Sequence, residues 1–138
     1  MLDREGFEEQ AKTIAQSLTL QQHATILALH GDLGAGKTTL VQIVAHEFGV
    51  TEVVTSPTFV IMKKYALSTG PYSTLVHIDA YRLKNSHELE VLGWSDIAED
   101  PKNLICIEWP ERVEALVPSS ARSLTFTFVD EDHRMIFG

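Results

Sequence analysis

The residue types with the clearest chemistry lie in one segment, Gly31-Asp32-Leu33-Gly34-Ala35-Gly36-Lys37-Thr38-Thr39. It fits the pattern G-x-x-x-x-G-K-[ST], in which glycines let backbone N–H groups converge on phosphate oxygens. In that pattern the lysine reaches the β- and γ-phosphates, and the hydroxyl residue reaches Mg²⁺. We therefore predict a site for a nucleoside triphosphate and Mg²⁺. The expected contacts in this segment are Gly34, Ala35, Gly36, Lys37, Thr38 and Thr39.

The sequence on either side of the glycine-rich segment favours this interpretation over an ordinary turn with a surface lysine. Residues 24–30 are an apolar run with strand character, and residues 40–48 carry apolar side chains at helical spacing. Gly49 suits the position that follows a last helical turn. A loop between a strand and a helix would hold the phosphates at the positive end of the helix dipole.

Phosphoryl transfer also needs a carboxylate near Mg²⁺, and the sequence offers one at the end of each of two apolar strands. Asp79 ends the run Val76-His77-Ile78, and Glu108 ends the run Ile105-Cys106-Ile107. Spacing alone does not decide which of the two reaches the metal. For each, the alternative is a carboxylate that accepts a hydrogen bond from a neighbouring backbone group.

Other polar or aromatic residues allow more than one interpretation. Ser56-Pro57-Thr58 is either a plain turn or a loop whose hydroxyl senses the γ-phosphate. Trp109 is expected to pack against the core, with contact to a partner as the alternative. His77 is expected to be a packed or surface histidine, and the histidines show no metal-ligand spacing.

The order of the expected elements predicts how these residues are positioned. Strands and helices alternate in a chain of 138 residues, which indicates a single domain of α/β class. We expect a three-layer sandwich like that of P-loop NTPases, with a mostly parallel central sheet and flanking helices. Ligands then bind at the carboxyl ends of the strands, which places the glycine-rich loop, Asp79 and Glu108 at one edge.

The expected helices cover residues 3–18, 86–92, 95–100 and 111–116, with Asp3 and Ser86 as candidate caps. Two hairpins are expected, one from residues 59–66 and 74–79, the other from residues 123–129 and 134–137 across the acidic turn at 130–132.

The composition argues against two classes, nucleic-acid-binding proteins and membrane proteins. The net charge of −8 argues against direct binding of nucleic acid, which needs clustered lysine and arginine. No apolar run is long enough to cross a membrane, the N-terminal residues are acidic, and Cys106 is the single cysteine. These features predict a cytoplasmic protein without a membrane association.

The nucleotide and the reaction are constrained by what the sequence lacks. No Asn-Lys-x-Asp or Thr-Lys-x-Asp segment for reading guanine occurs, so ATP is the expected nucleotide. A small-molecule kinase would need an acceptor pocket and a lid with several arginines, whereas the arginines of this chain are not clustered. The favoured interpretation is an ATPase that acts with partner proteins. The alternatives are a module that binds ATP without significant turnover and a small P-loop kinase.

Several motifs in a fixed order resemble the TsaE family, formerly YjeE, which comprises small bacterial P-loop ATPases required for threonylcarbamoyladenosine modification of tRNA. The resemblance extends from the first helix to the terminal hairpin. The motifs are the glycine-rich segment 31–39, Ser56-Pro57-Thr58-Phe59, His77-Ile78-Asp79-Ala80-Tyr81-Arg82-Leu83 and Glu108-Trp109-Pro110-Glu111.

The resemblance implies a cytosolic protein that hydrolyses ATP poorly when it is alone. Family members associate with the TsaD–TsaB pair, which carries the transfer active site, and ATP hydrolysis is thought to reset that complex between turnovers. Contact with tRNA is then indirect, through the complex.

The resemblance also implies roles for individual residues. Lys37 and Thr38 would bind phosphate and Mg²⁺, and Glu108 matches the metal-associated glutamate of the family. Asp79 matches an aspartate that is critical for activity, so the expected catalytic residues are Asp79, Glu108 and Lys37. Trp109 matches a tryptophan beside the nucleotide and the partner surface.

Three further contacts with the nucleotide follow from the resemblance. Thr58 matches the threonine of the switch-like loop. The first helix is expected to approach the base through Glu9 or Gln10. Arg134 lies where the family has a late arginine.

Overall fold

The computed structural model describes residues 3–32, 35–55, 61–130 and 133–138. Its helices are α1 (Arg4–Ser17), α2 (Lys37–Glu47), α3 (Ser86–Val91), α4 (Trp94–Glu99) and a 3₁₀ helix (Pro110–Leu116). Its strands are β1 (Thr25–His30), β2 (Met62–Ala66), β3 (Thr74–Asp79), β4 (Asn103–Glu108), β5 (Arg122–Asp130) and β6 (His133–Phe137).

Within the described residues, the strands form one six-stranded sheet in the order β2-β3-β4-β1-β5-β6. The inner strands β3, β4, β1 and β5 are parallel. The edge strands β2 and β6 are antiparallel to their neighbours, so both expected hairpins are confirmed where they are described. Phe59 and Val60, expected in the first hairpin, and Glu131 and Asp132, expected in the turn of the second, lie outside the described residues.

Two apolar clusters cover the two faces of this sheet, which confirms the expected three-layer α/β sandwich. One cluster joins α1 and α2 to the face that carries Leu27, Leu75 and Leu104. The other joins α3, α4 and the 3₁₀ helix to the opposite face, which carries Ile26 and Ile105. Because side chains alternate along a strand, residues 75, 77 and 79 of β3 face the α2 side, as do residues 104, 106 and 108 of β4.

The helix boundaries follow local capping, with one correction. Asp3 caps α1 as expected, since its side chain accepts a hydrogen bond from the N–H of Gly6 at 2.8 Å. The expected cap Ser86 is wrong, because the cap of α3 is Asn85, whose side chain accepts from the N–H of Glu88. Asn85 is extended and therefore aims its side chain at the first turn, whereas Ser86 is already helical. None of the helices in the described ranges has both the length and the apolar character that a bilayer span requires.

Candidate functional site

The glycine-rich loop connects the carboxyl end of β1 to the first residue of α2. Gly36 precedes the helix with a φ of 107°, a left-handed conformation that favours glycine. The N–H of Leu40 donates to the carbonyl of Gly36 at 3.0 Å, so the helix starts directly at the lysine. The free N–H groups of this first turn are therefore next to Lys37 and Thr38, as anion binding requires.

The remaining loop residues expected to contact nucleotide have different environments. Ala35 is buried, and its N–H donates to the carbonyl of Asp32 at 3.2 Å. Thr39 is exposed in the first turn of α2. Gly34 and Thr58 lie outside the described residues, so their assigned contacts stay predictions.

Gly31 is required by the close approach of β5 to the loop. Its φ is +146°, and a Cβ there would lie 2.6 Å from the backbone oxygen of Phe126. We expect Gly31→Ala to lower the free energy of unfolding by about 3 kcal/mol, the sum of backbone strain and a backbone clash. Gly93→Ala is the matched control, since its φ is +91° but nothing lies within 4 Å of the added Cβ. Urea unfolding should show that Gly93→Ala lowers the free energy of unfolding by about 1 kcal/mol. Equal losses in the two variants would show that the clash with Phe126 adds no energetic cost.

Lys37 is a buried cation that contacts the loop backbone and an aromatic ring. It is 4% exposed, and its Nζ donates to the carbonyl of Gly31 at 2.5 Å. The same Nζ lies 3.8 Å from the centre of the Trp109 ring, a cation–π contact. Burial lowers the pKa of Lys37, and nearby negative charges oppose this shift. The opposing carboxylates are those of Glu108, Asp79, Glu111 and Asp32.

Glu108 links α2 to the neighbouring strand β3. Its side chain accepts hydrogen bonds from the Thr38 hydroxyl, at 3.0 Å to Oε2 and 3.3 Å to Oε1. The Nε2 of His77 lies 2.6 Å from the same Oε2. Glu108 is 4% exposed, so this carboxylate is held by the protein rather than by solvent.

The pair of Thr38 and Glu108 fits a magnesium site that is completed by a nucleotide. Mg²⁺ takes oxygen ligands and usually keeps waters and phosphate oxygens in addition to one or two protein ligands. A hydroxyl and a carboxylate at hydrogen-bond distance supply that partial set. The described residues contain no group of three or more His, Cys, Asp and Glu side chains suited to hold a metal ion. The donor set therefore suits Mg²⁺ with a triphosphate better than an all-protein metal cage.

Asp79 ends β3 directly beside Glu108, because the two residues are paired in the parallel register of β3 and β4. Adjacent strands are about 4.8 Å apart, so both carboxylates lie at one corner of the sheet. The Oδ1 of Asp79 accepts a hydrogen bond from the N–H of Tyr81 at 3.0 Å. This geometry places Glu108 in contact with Thr38, and Asp79 next to it with a backbone partner.

Trp109 turns the chain out of β4 in a strained conformation. Its φ of 59° and ψ of 49° are left-handed, and no other non-glycine residue in the described ranges has a positive φ. Its ring centre is 5.0 Å from that of Tyr81, and Arg112 lies 5.6 Å from the Tyr81 ring. Strained backbone that points an aromatic ring at the loop lysine is typical of a functional site. Trp109 thus packs against the second core cluster and also covers Lys37.

The residues expected near the base lie on α1, and the late arginine expected to contact the nucleotide lies on β6. Glu9 is exposed on α1, and the side chain of Gln10 donates to the carbonyl of Ile136 at 3.4 Å, which ties the helix to β6. Arg134 lies over the ring of Phe128 at 4.5 Å and donates to backbone carbonyls of its own hairpin. The base contact assigned to Glu9 or Gln10 and the nucleotide contact assigned to Arg134 stay predictions.

His77 is the site residue that the sequence interpretation missed. It was expected to be a packed or surface histidine, and it is packed, but against Glu108 rather than against apolar groups alone. The alternation of side chains along a strand could have predicted this position, since residues 77 and 79 share the face that carries Glu108. A polar residue inside an otherwise apolar strand, on the face of a predicted carboxylate, was a candidate partner for that carboxylate.

Known proteins are similar to this chain in sequence and in fold. The family profile described as "Threonylcarbamoyl adenosine biosynthesis protein TsaE" matches residues 4–136. This chain is 40% identical over 119 residues to the tRNA threonylcarbamoyladenosine biosynthesis protein TsaE of Synechocystis sp., which covers 83% of this chain and 70% of the relative. It is 33% identical over 129 residues to the protein of the same name from Bacillus subtilis, covering 93% and 78% of the two chains. The crystal structure of Bacillus subtilis YdiB is similar with a TM-score of 0.75 at 28% identity, covering 99% of this chain and 79% of that chain.

Proposed function

The chain belongs to the TsaE family, and from this premise we propose that it is a weakly hydrolysing ATPase subunit that acts on the TsaD–TsaB complex. The names of its relatives connect the family with the biosynthesis of threonylcarbamoyladenosine in tRNA. ATP binding, hydrolysis with Mg²⁺, and action on TsaD–TsaB in the cytoplasm are the parts of the proposal that go beyond those names.

One observation carries the ATPase proposal: the phosphate-loop hydroxyl of Thr38 donates to the strand-end carboxylate of Glu108 beside the buried Lys37. The loop amides and Lys37 would bind the triphosphate, and Thr38 with Glu108 would hold its Mg²⁺. Mg²⁺ would neutralise the charge that develops on the transferred phosphoryl group. Asp79, paired with Glu108 across the two strands, is suited to orient the attacking water.

The contacts of Lys37 support the proposal that turnover depends on partners. Its ammonium already interacts with the carbonyl of Gly31 and the ring of Trp109, and phosphate must compete with these groups. Trp109 and its neighbour Tyr81 are partly exposed, so a protein that contacts this corner can move the ring. A partner that displaces Trp109 would complete the catalytic arrangement around the phosphates.

The −8 net charge supports an indirect connection with tRNA. Affinity for nucleic acid comes largely from lysine and arginine contacts with phosphates, and it falls steeply with salt. We propose that TsaD–TsaB binds the tRNA and that this chain supplies the energy of ATP.

The test is the ATPase rate of the purified chain with and without purified TsaD–TsaB. We expect the complex to raise the rate by at least about tenfold, which corresponds to about 1.4 kcal/mol of barrier. The signal is specific if Glu108→Gln abolishes the stimulated rate while TsaD–TsaB alone hydrolyses no ATP. Binding of ATP without any stimulation would instead support a module that uses the ATP-bound state without turnover.

A further inference from the structure

His77 contacts Glu108 in the candidate site, and none of the roles proposed above involves it. It is fully buried in β3, between apolar neighbours in sequence, and its Nε2 is 2.6 Å from the Oε2 of Glu108. A buried imidazole loses its hydration, so its position needs a compensating interaction. The contact with Glu108 is the interaction that the structure provides.

The hydrogen bonding fixes which ring nitrogen carries the proton. An ionised carboxylate only accepts hydrogen bonds, so the Nε2 of His77 is assigned as the donor to Glu108. The Nδ1 atom is buried and has no hydrogen-bond partner in the described part of the chain. A proton on Nε2 is therefore paired with Glu108, whereas a proton on Nδ1 would be left unpaired.

The unpaired Nδ1 argues against a purely structural role for His77. An unsatisfied buried polar atom destabilises the folded state, whereas a leucine at this position would carry no such atom. The neighbouring β4 position in register with His77 is Cys106, which is also fully buried. Histidine at position 77 therefore destabilises the core, and it provides a hydrogen bond to the carboxylate of Glu108.

The two donors hold Glu108 from separate elements. Thr38 donates from the first turn of α2, and His77 donates from β3 to the same oxygen, Oε2. A cation bound at Thr38 would take over the space of the Thr38–Glu108 hydrogen bond, and His77 would then be the remaining protein donor that holds Oε2. Groups that hold a metal-binding carboxylate from behind fix its orientation and tune its affinity for the metal.

We propose that His77 is a positioning residue, which holds the carboxylate of Glu108 in the orientation that binds the divalent cation of the bound nucleotide. The inference rests on the proposed function, since it requires that the chain binds a triphosphate together with a metal ion. It assigns no contact between His77 and the nucleotide or the metal.

The experiment measures metal affinity directly, with Mn²⁺ as an EPR probe in the presence of a non-hydrolysable ATP analogue. We expect His77→Leu to weaken Mn²⁺ binding by about 10- to 100-fold. Affinity for the analogue in EDTA should be unchanged, because Lys37 and the loop amides remain. His77→Gln should restore Mn²⁺ affinity to within a few-fold, since its amide nitrogen can occupy the position of Nε2. His77→Asn is polar but too short to reach, so it should behave like the leucine variant.

Cys106→Ala is the matched control for a disturbed core, because it changes the neighbouring buried position on the same sheet face. It should lower the thermal midpoint without changing Mn²⁺ affinity. Wild-type Mn²⁺ affinity in His77→Leu would overturn the inference, as would an equal loss in Cys106→Ala or equal affinities in the Gln and Asn variants. If His77→Leu does not fold, the Gln and Asn pair decides. A wild-type chain without nucleotide-dependent Mn²⁺ binding would refute the proposed function itself, and the inference with it.

Discussion

Replacing Lys37 with alanine is expected to abolish ATP binding, with a loss in affinity of at least about 100-fold. The reason is that the proposed charge-assisted hydrogen bonds from Lys37 to phosphate would be lost, each worth about 1.5–3 kcal/mol. The structure adds that this cation is already buried and close to the carboxylates of Glu108 and Asp79. Without Lys37, those negative charges would face the triphosphate uncompensated, so repulsion adds to the lost attraction.

Isothermal titration with ATP and Mg²⁺ measures the effect, and Lys64→Ala is the matched control. Lys64 is an exposed lysine on the edge strand β2, so its removal changes the net charge equally but leaves the loop intact. Urea unfolding of both variants excludes a folding defect. Near-normal ATP affinity in a folded Lys37→Ala variant would remove the basis of the nucleotide site.

Replacing Glu108 with glutamine is expected to leave ATP binding within about tenfold of wild type and to lower hydrolysis by about 10²–10³-fold. The substitution keeps the side-chain volume but removes the charge that would hold the metal where negative charge develops. Two hydrogen-bond donors, Thr38 and His77, then face an amide that can accept only through its oxygen. We expect Asp79→Asn to shift hydrolysis in the same direction, since water orientation serves the transition state more than the ground state.

Hydrolysis of these variants is measured in the presence of TsaD–TsaB, and ATP binding is measured on the isolated chain. Glu111→Gln is the matched control, because it is the same substitution at another carboxylate near Lys37. The side chain of Glu111 is paired with His30 at 3.3 Å. Both side chains of that pair are partly exposed, so solvent screens the charge of Glu111. Normal hydrolysis by Glu108→Gln would show that another group holds the metal.

The sequence was sufficient for the fold class and for the edge of the sheet where the site lies. Interleaved apolar strands and amphipathic helices predicted the layers, and the strand-end rule placed Asp79 and Glu108 beside the glycine-rich loop. The sequence could not show that β4 lies between β1 and β3, because strand order depends on long-range packing rather than on local pattern. That order makes Asp79 and Glu108 immediate neighbours.

The choice between the two carboxylates also needed the structure. Both end apolar strands in the same way, and only the distance from Thr38 separates the residue that contacts the loop from the one that accepts a backbone N–H. The left-handed backbone of Trp109 could not be predicted from the sequence either, since non-glycine residues rarely adopt this conformation. That one conformation decides that the indole covers Lys37 instead of pointing only into the core.

The position of β4 has a consequence for how the molecule is made. The loop, Thr38 and Asp79 all leave the ribosome before the strand that must be inserted between β1 and β3. Until residue 108 has emerged, the nascent chain has a phosphate loop without its carboxylate, and β1 and β3 present open edges that invite wrong pairing. If ATP binds as proposed, it would bind the completed sheet better than the incomplete chain and would stabilise it by mass action, by about 2.7 kcal/mol at a concentration 100 times the dissociation constant. The cellular pool of ATP would therefore select correctly assembled copies during synthesis, before any of them meets another protein.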